Sequence, residues 1–170
     1  MNIYKKSKGF TIIEVVLVLA IAGLIFLMVF LALPALQRSQ RDTQRKNDLS
    51  RAITAVTSYA SNNRGSLPDN TNQAWATFVG QYLIPTTSDT FIDPLGASTV
   101  SPSSTTYDMV ANTNIDSPVV DGKFDATTQN IIYFSEGFTC TTGGAITTAG
   151  NRKVALRMYL EGGGVDCINN

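Results

Sequence analysis

Histidine is absent from the 170 residues. Its absence excludes Ser/His/Asp and Cys/His nucleophile systems, His-ligated metal centres, and any side chain that titrates near neutrality without help from its surroundings. Cysteine is scarce as well: Cys140 and Cys167 are too few to build a Cys-rich zinc or iron–sulfur site by themselves. The chain carries no net charge, because 13 Lys and Arg balance 13 Asp and Glu, so no global field draws it toward nucleic acid. It also lacks a phosphate-binding loop. These absences point away from an enzyme, and no cofactor is expected. Glu136 and Glu161 are the obvious acid/base candidates that remain. They flank the ends of expected strands with no partner visible in the sequence, and structural or solvent-facing roles suit them better.

The charges are unevenly distributed. Residues 1–9 contain Lys5, Lys6 and Lys8, residues 38–64 contain six basic against two acidic side chains, and residues 65–170 contain four basic against ten acidic. Residues 15–33 contain no charge at all. As a helix rising about 1.5 Å per residue, that run matches the roughly 30 Å hydrocarbon core of a bilayer. It begins like a secretory signal, but the apolar run is longer than a signal core and no small-x-small cleavage site follows.

A helical pattern continues beyond the apolar run. Residues 37–48 are polar and free of Gly and Pro, and Leu49, Ala52, Ile53, Val56 and Ala60 then recur at steps of three and four, the period of a helix with one buried face. Asn62-Asn63-Arg64-Gly65 and Pro68 supply the stop. A helix over residues 10–61 would be about 75–80 Å long.

The junction Lys8-Gly9-Phe10-Thr11-Ile12-Ile13-Glu14 resembles that of the type IV prepilin family. The resemblance covers about residues 5–65. It implies cleavage between Gly9 and Phe10 by a prepilin peptidase, N-methylation of Phe10, and an assembly role for Glu14, whose carboxylate would pair with the free α-amino group of Phe10 on a neighbouring subunit. Gly23 stands where many relatives also carry a helix-loosening glycine, while Pro34 lies slightly further along than the proline of many relatives. Pro34 cannot donate its backbone hydrogen bond, so a kink or local break is expected there.

Physical chemistry supports a special role for Glu14. A carboxylate inside an apolar helix costs about 2.5–3.5 kcal/mol in lipid at mid-helix, so it needs a cationic partner or a local one. The alternative is that Thr11-Ile12-Ile13-Glu14 forms a capping box, and both can hold at different stages. Basic residues near the ends of the span favour a cytoplasmic C-terminal part by the positive-inside rule: Lys5, Lys6 and Lys8 face Arg38, Arg41, Arg45, Lys46 and Arg51. Asp42 and Asp48 lie within helix-neighbour reach of several of these bases, and the prepilin-like junction requires the leader inside, so the opposite orientation is expected. The stripe Arg38, Arg41, Arg45 could touch headgroups or DNA. A solvated face or an intersubunit salt-bridge surface is the commoner use of such a stripe, and nucleic acid is not an expected partner.

In the distal part, Trp75, Phe78, Val79, Tyr82 and Leu83 are at helical spacing within residues 73–83, before Pro85. Trp75 is assigned to the core rather than to an exposed adhesive contact. Residues 86–106, rich in Ser, Thr and Pro, are expected to form a surface loop open to O-glycosylation. Strands are expected at 106–111, 129–135 and 153–160, the last with Val154, Leu156, Met158 and Leu160 on one face and Lys153, Ala155, Arg157 and Tyr159 on the other. Asn112, Asn114 and Asp116 have the alternation of a calcium loop, with Asp121 and Asp125 nearby. Ser117 and Lys123 replace the glycine and glutamate such a loop needs, so no metal is expected. In an exported domain Cys140 and Cys167 form a disulfide by default, similar to the disulfide-bounded C-terminal region of many pilins, with two free thiols as the alternative.

The expected fold is α+β, the pilin plan of a long N-terminal helix packed on a small antiparallel sheet. Residues 1–9 would be the prepilin leader, 10–36 a transmembrane and filament-core helix, 37–64 its exposed amphipathic continuation, and 65–170 an extracellular head. The resemblance implies a structural subunit of a pilus: a homo-oligomeric helical filament, reached from a single-pass membrane precursor through an inner-membrane assembly platform, serving adhesion or twitching motility. A minor pilin, or a pseudopilin of a competence or type II secretion system, is the alternative.

Overall fold

The structure, a computed structural model, describes residues 9–68, 72–84, 91–96, 107–111, 124 and 130–170. It divides into two compact units, Met1–Gln37 and Arg38–Asn170. Helix α1, Ile12–Asn62, is continuous through both Gly23 and Pro34, so the chain accommodates the missing proline donor without breaking the helix.

In the first unit residues 9–37 are exposed around the whole helix, and the large apolar side chains from Phe10 to Leu36 are 47–90% exposed. Burying each such side chain is worth roughly 1.5–3 kcal/mol, so water cannot be the medium around this surface. The helix is long and apolar enough to cross a membrane.

In the second unit α1 turns amphipathic, and Leu49, Ala52, Ile53 and Val56 become core. This half is rich in Ser and Thr, weak helix formers that are tolerated because their hydroxyls bond back one turn: Thr54 Oγ1 to Ser50 O at 2.8 Å, Thr57 Oγ1 to Ile53 O at 2.9 Å, and Ser58 Oγ to Thr54 O at 2.9 Å. The helix ends where Gly65 N donates to Ala60 O at 2.7 Å.

Helix α2, Asn72–Phe78, runs into a π-helical turn, Val79–Leu83. Trp75 is buried, stacks on Phe78 at 5.0 Å between ring centroids, and donates from Nε1 to Tyr107 O at 3.3 Å. Strands β1 (Asp108–Ala111), β2 (Ile131–Glu136), β5 (Val154–Tyr159) and β6 (Val165–Asn169) form a sheet in the order β1-β2-β5-β6. β3 (Phe138–Cys140) and β4 (Ile146–Thr148) form a separate two-stranded sheet. The fold is α+β, a long helix packed on a small sheet that is antiparallel except where β1 pairs β2 in parallel. Ile132, Phe134, Val154, Leu156 and Met158 face the helix side of the core.

Both faces of β5 are buried: Tyr159 joins Ile131, Tyr133, Phe124 and Val165 in a second apolar cluster, and Arg157 is buried with it. One expectation about surfaces is corrected. Within the expected surface loop 86–106, the described residues Phe91 and Asp93 are 1% and 2% exposed. The alternating Asn and Asp of the weighed calcium loop, Pro85 and the leader lysines lie outside the described residues.

Cys140 and Cys167 are joined in a disulfide with a Cα–Cα distance of 5.8 Å, tying β3 to β6. Gly144 lets the segment between β3 and β4 lie against β6: its φ is +80°, and a Cβ there would sit 2.7 Å from Val165 Cβ. With the cysteines 27 positions apart in sequence, the chain-entropy model predicts that Cys140→Ser/Cys167→Ser lowers stability by about 3–4 kcal/mol. Urea denaturation of both proteins checks this.

Candidate processing and assembly site

The N-terminal site is built on the first turn of α1. Gly9 and Phe10 precede the helix, and Phe10 is 90% exposed, so a peptidase meets the bond between them without unfolding packed structure. Thr11 is the helix cap. Its backbone N–H and its hydroxyl donate to Glu14 Oε2 at 2.8 and 2.7 Å, and Glu14 N–H donates to Thr11 Oγ1 at 3.4 Å. This reciprocal pattern is the capping box, and it moves the helix start from the expected Phe10 to Ile12. Among the described residues Glu14 Oε1 has no hydrogen-bond partner. The carboxylate therefore satisfies the helix end with one oxygen and presents the other beside Phe10.

The basic stripe makes ion pairs within the chain, with Arg38 still largely exposed. Arg41 meets Glu161 through two bonds, Nε to Oε2 at 2.7 Å and Nη2 to Oε1 at 2.6 Å, and Arg38 reaches the same carboxylate at 3.6 Å. Arg45 is fully buried and forks onto Asp93, Nε to Oδ2 at 2.6 Å and Nη2 to Oδ1 at 2.9 Å, while its Nη1 donates to Asp42 Oδ1 at 2.9 Å. Asp42 also accepts the backbone N–H groups of Glu161 and Gly162, both at 2.8 Å. Burial works against the charge of Arg45, but the hydrogen bond and charge of Asp93, with Asp42 behind them, outweigh it and hold the guanidinium protonated more firmly than usual. One turn on, burial pushes the Asp48 carboxyl and the Tyr107 phenol up, and Tyr107 OH donates to Asp48 Oδ2 at 3.1 Å.

Glu161 thus has partners that sequence did not reveal. Arg41 holds its carboxyl below the ordinary range, which makes it an ion-pair acceptor and not a general acid. Glu136 ends β2 and is exposed. Sequence reasoning missed Asp93 altogether. Its one signal was the apolar Phe91 two residues before it in a Ser/Thr-rich stretch, the mark of a loop strand tucked inward.

Among the described residues no group of three or more Cys, Asp or Glu is placed to hold a metal ion. Residues 4–30 match the prokaryotic N-terminal methylation motif. No curated protein and no solved structure matches the chain. The motif implies, in general, processing by a prepilin peptidase and filament assembly, belongs to a structural rather than catalytic family, and fits a membrane-anchored precursor. Residues 4–30 and the apolar helix that they open support a type IV pilin- or prepilin-like family for this chain.

Proposed function

We propose that this chain is a structural subunit of an extracellular type IV pilus. Residues 1–9 are the leader, cut off on the cytoplasmic side between Gly9 and Phe10, and Phe10 is then N-methylated. Residues 10–36 hold the precursor in the membrane and later form the filament core, with 37–64 continuing the helix and 65–170 facing outward. Adhesion and twitching motility are the activities such a filament serves.

The observation that carries this reading is the methylation motif opening a helix whose apolar surface is exposed all round. Each side chain on that surface gains roughly 1.5–3 kcal/mol on leaving water, so lipid and neighbouring helices are interchangeable covers. Transfer from one to the other leaves the apolar surface covered throughout. The charge near the start then selects register, because Glu14 Oε1 is available to a cation while Oε2 caps the helix. After cleavage, the nearest cation of matching depth is the Phe10 α-amino group of an adjacent subunit.

Processing can be tested directly. Co-expressed with a prepilin peptidase that cleaves a control substrate, the wild-type chain loses residues 1–9, and Gly9→Leu stays full length by intact mass. A wild-type chain that keeps residues 1–9 under these conditions contradicts the proposal.

A further inference from the structure

The second unit gathers its cations in two ways. Arg38, Arg41, Arg45 and Arg51 each meet a carboxylate. Arg64 and Arg152 do not: among the described residues neither takes part in an ion pair, and both line one cleft of about 340 Å³ together with Ser61, Gly65 and Asn170.

Both arginines extend from exposed positions on constrained backbone. Arg64 sits at φ +58°, a left-handed conformation that favours Gly or Asn, so the position tolerates strain to display this side chain. Arg152 lies in a tight turn closed by Lys153 N–H donating to Gly150 O at 2.7 Å, and its own carbonyl accepts from Asn170 Nδ2 at 3.0 Å. Its guanidinium rests over Gly65, where a Cβ would stand 3.3 Å from Nε and where φ is +87°. A side chain there would push the guanidinium aside by a few tenths of an ångström and strain the backbone.

Two like charges on one cleft repel unless something compensates them. The carbonyls at the end of α1 are largely occupied: Tyr59 O accepts from Asn63 Nδ2 at 2.8 Å, Ala60 O from Gly65 N, and Thr57 O from Ser61 Oγ at 3.0 Å. Lys153 Nζ is taken up by Asn170 O at 2.8 Å. Among the described residues no Asp or Glu side chain comes within ion-pair distance of either guanidinium fork.

We propose that Arg64 and Arg152 form an anion-binding cleft for a tetrahedral oxyanion, a phosphate or sulfate group, held between the two guanidinium forks. Guanidinium geometry matches such oxygens in bidentate fashion, and charge-assisted hydrogen bonds are the strong class. This site is independent of filament assembly and of the processing of residues 1–9.

The test is a titration of the full chain in neutral detergent micelles with inorganic phosphate at low ionic strength, followed by calorimetry. Wild type gives saturable binding with one phosphate per chain. Arg64→Asn, which suits the left-handed backbone, and Arg152→Gln each weaken it about tenfold or more, while Lys46→Gln, an exposed cation elsewhere on α1, leaves it unchanged. An unchanged Tm in each variant confirms that folding is not the cause. Absence of saturable binding by wild type, persistence in the Arg64→Asn/Arg152→Gln double variant, or an equal loss with Lys46→Gln overturns the proposal. Inorganic polyphosphate then separates sources: binding more than about tenfold tighter than phosphate assigns the site to a polymeric phosphate, and equal binding assigns it to the free anion.

Discussion

Replacing Asp93 by alanine lowers the stability of the second unit by about 3–5 kcal/mol, the cost of leaving a buried guanidinium without its partner. Arg45 is fully buried and receives both carboxylate oxygens of Asp93 at 2.6 and 2.9 Å, so no rearrangement short of opening the unit brings water to its Nε and Nη2. Asp42 remains to compensate part of the charge, but it is already shared with the backbone N–H groups of Glu161 and Gly162. Against a total stability of roughly 5–15 kcal/mol, such a loss is large. Trp75 is the one tryptophan in the chain and is buried, so its fluorescence during urea denaturation of the full chain in detergent reports the change. A double replacement, Arg45→Met/Asp93→Leu, recovers most of the loss, because it removes both charges and keeps their volume. A single Asp93→Ala variant within about 1 kcal/mol of wild type would mean that the pair is not closed off from solvent.

Why this pair escaped the sequence is a matter of range. The packing face of α1 was legible because Leu49, Ala52, Ile53 and Val56 obey a local period, and the same holds for β5, where Val154, Leu156 and Met158 alternate. The local partner Asp42 of Arg45 was within helix-neighbour reach, but the others announce nothing locally, since they stand 48 residues away for Arg45 and Asp93 and 120 for Arg41 and Glu161. Short elements fail for a related reason. β3 and β4 have three residues each, too few for alternation to register, and β6 follows Gly162-Gly163-Gly164 with only five. The burial of the second face of β5 was not legible because arginine and tyrosine carry no local mark of burial, and the aromatic cover from Phe124 comes from a segment with no strand pattern. At the N-terminus the motif itself was local and contiguous. The capping box is local too, and the structure adds that one oxygen of Glu14 suffices for it.

That arrangement of Glu14 allows the cap and the proposed charge pairing to be separated experimentally, and the second large effect lies here. In a filament core, removing the carboxylate leaves an unpaired ammonium in apolar surroundings, at about 2.5–3.5 kcal/mol, or roughly a hundredfold in the assembly equilibrium. Glu14→Ala is therefore expected to reduce sheared surface filaments by about two orders of magnitude while the protein accumulates normally in the membrane. Glu14→Gln is the sharper variant. Glutamine serves as well as glutamate in a capping box, so a purely local role leaves Gln near wild type, whereas charge pairing makes it fail as alanine does. Thr11→Val gives the converse, removing the hydroxyl bond at 2.7 Å and sparing the charge, and it retains assembly. Quantitative immunoblotting of the sheared and membrane fractions reads all three. Wild-type filament levels in Glu14→Gln would assign the residue to the cap alone.

Whether the chain leaves the membrane as a processed filament subunit is read by mass spectrometry of sheared surface filaments. The expected result is an N-terminal peptide that begins at N-methylated Phe10 and carries Glu14, in an amount that makes this chain a principal component of the filament. A trace amount of the same peptide would mark a minor subunit. Filaments without it, with the chain found only in membranes and still bearing residues 1–9, would contradict the account.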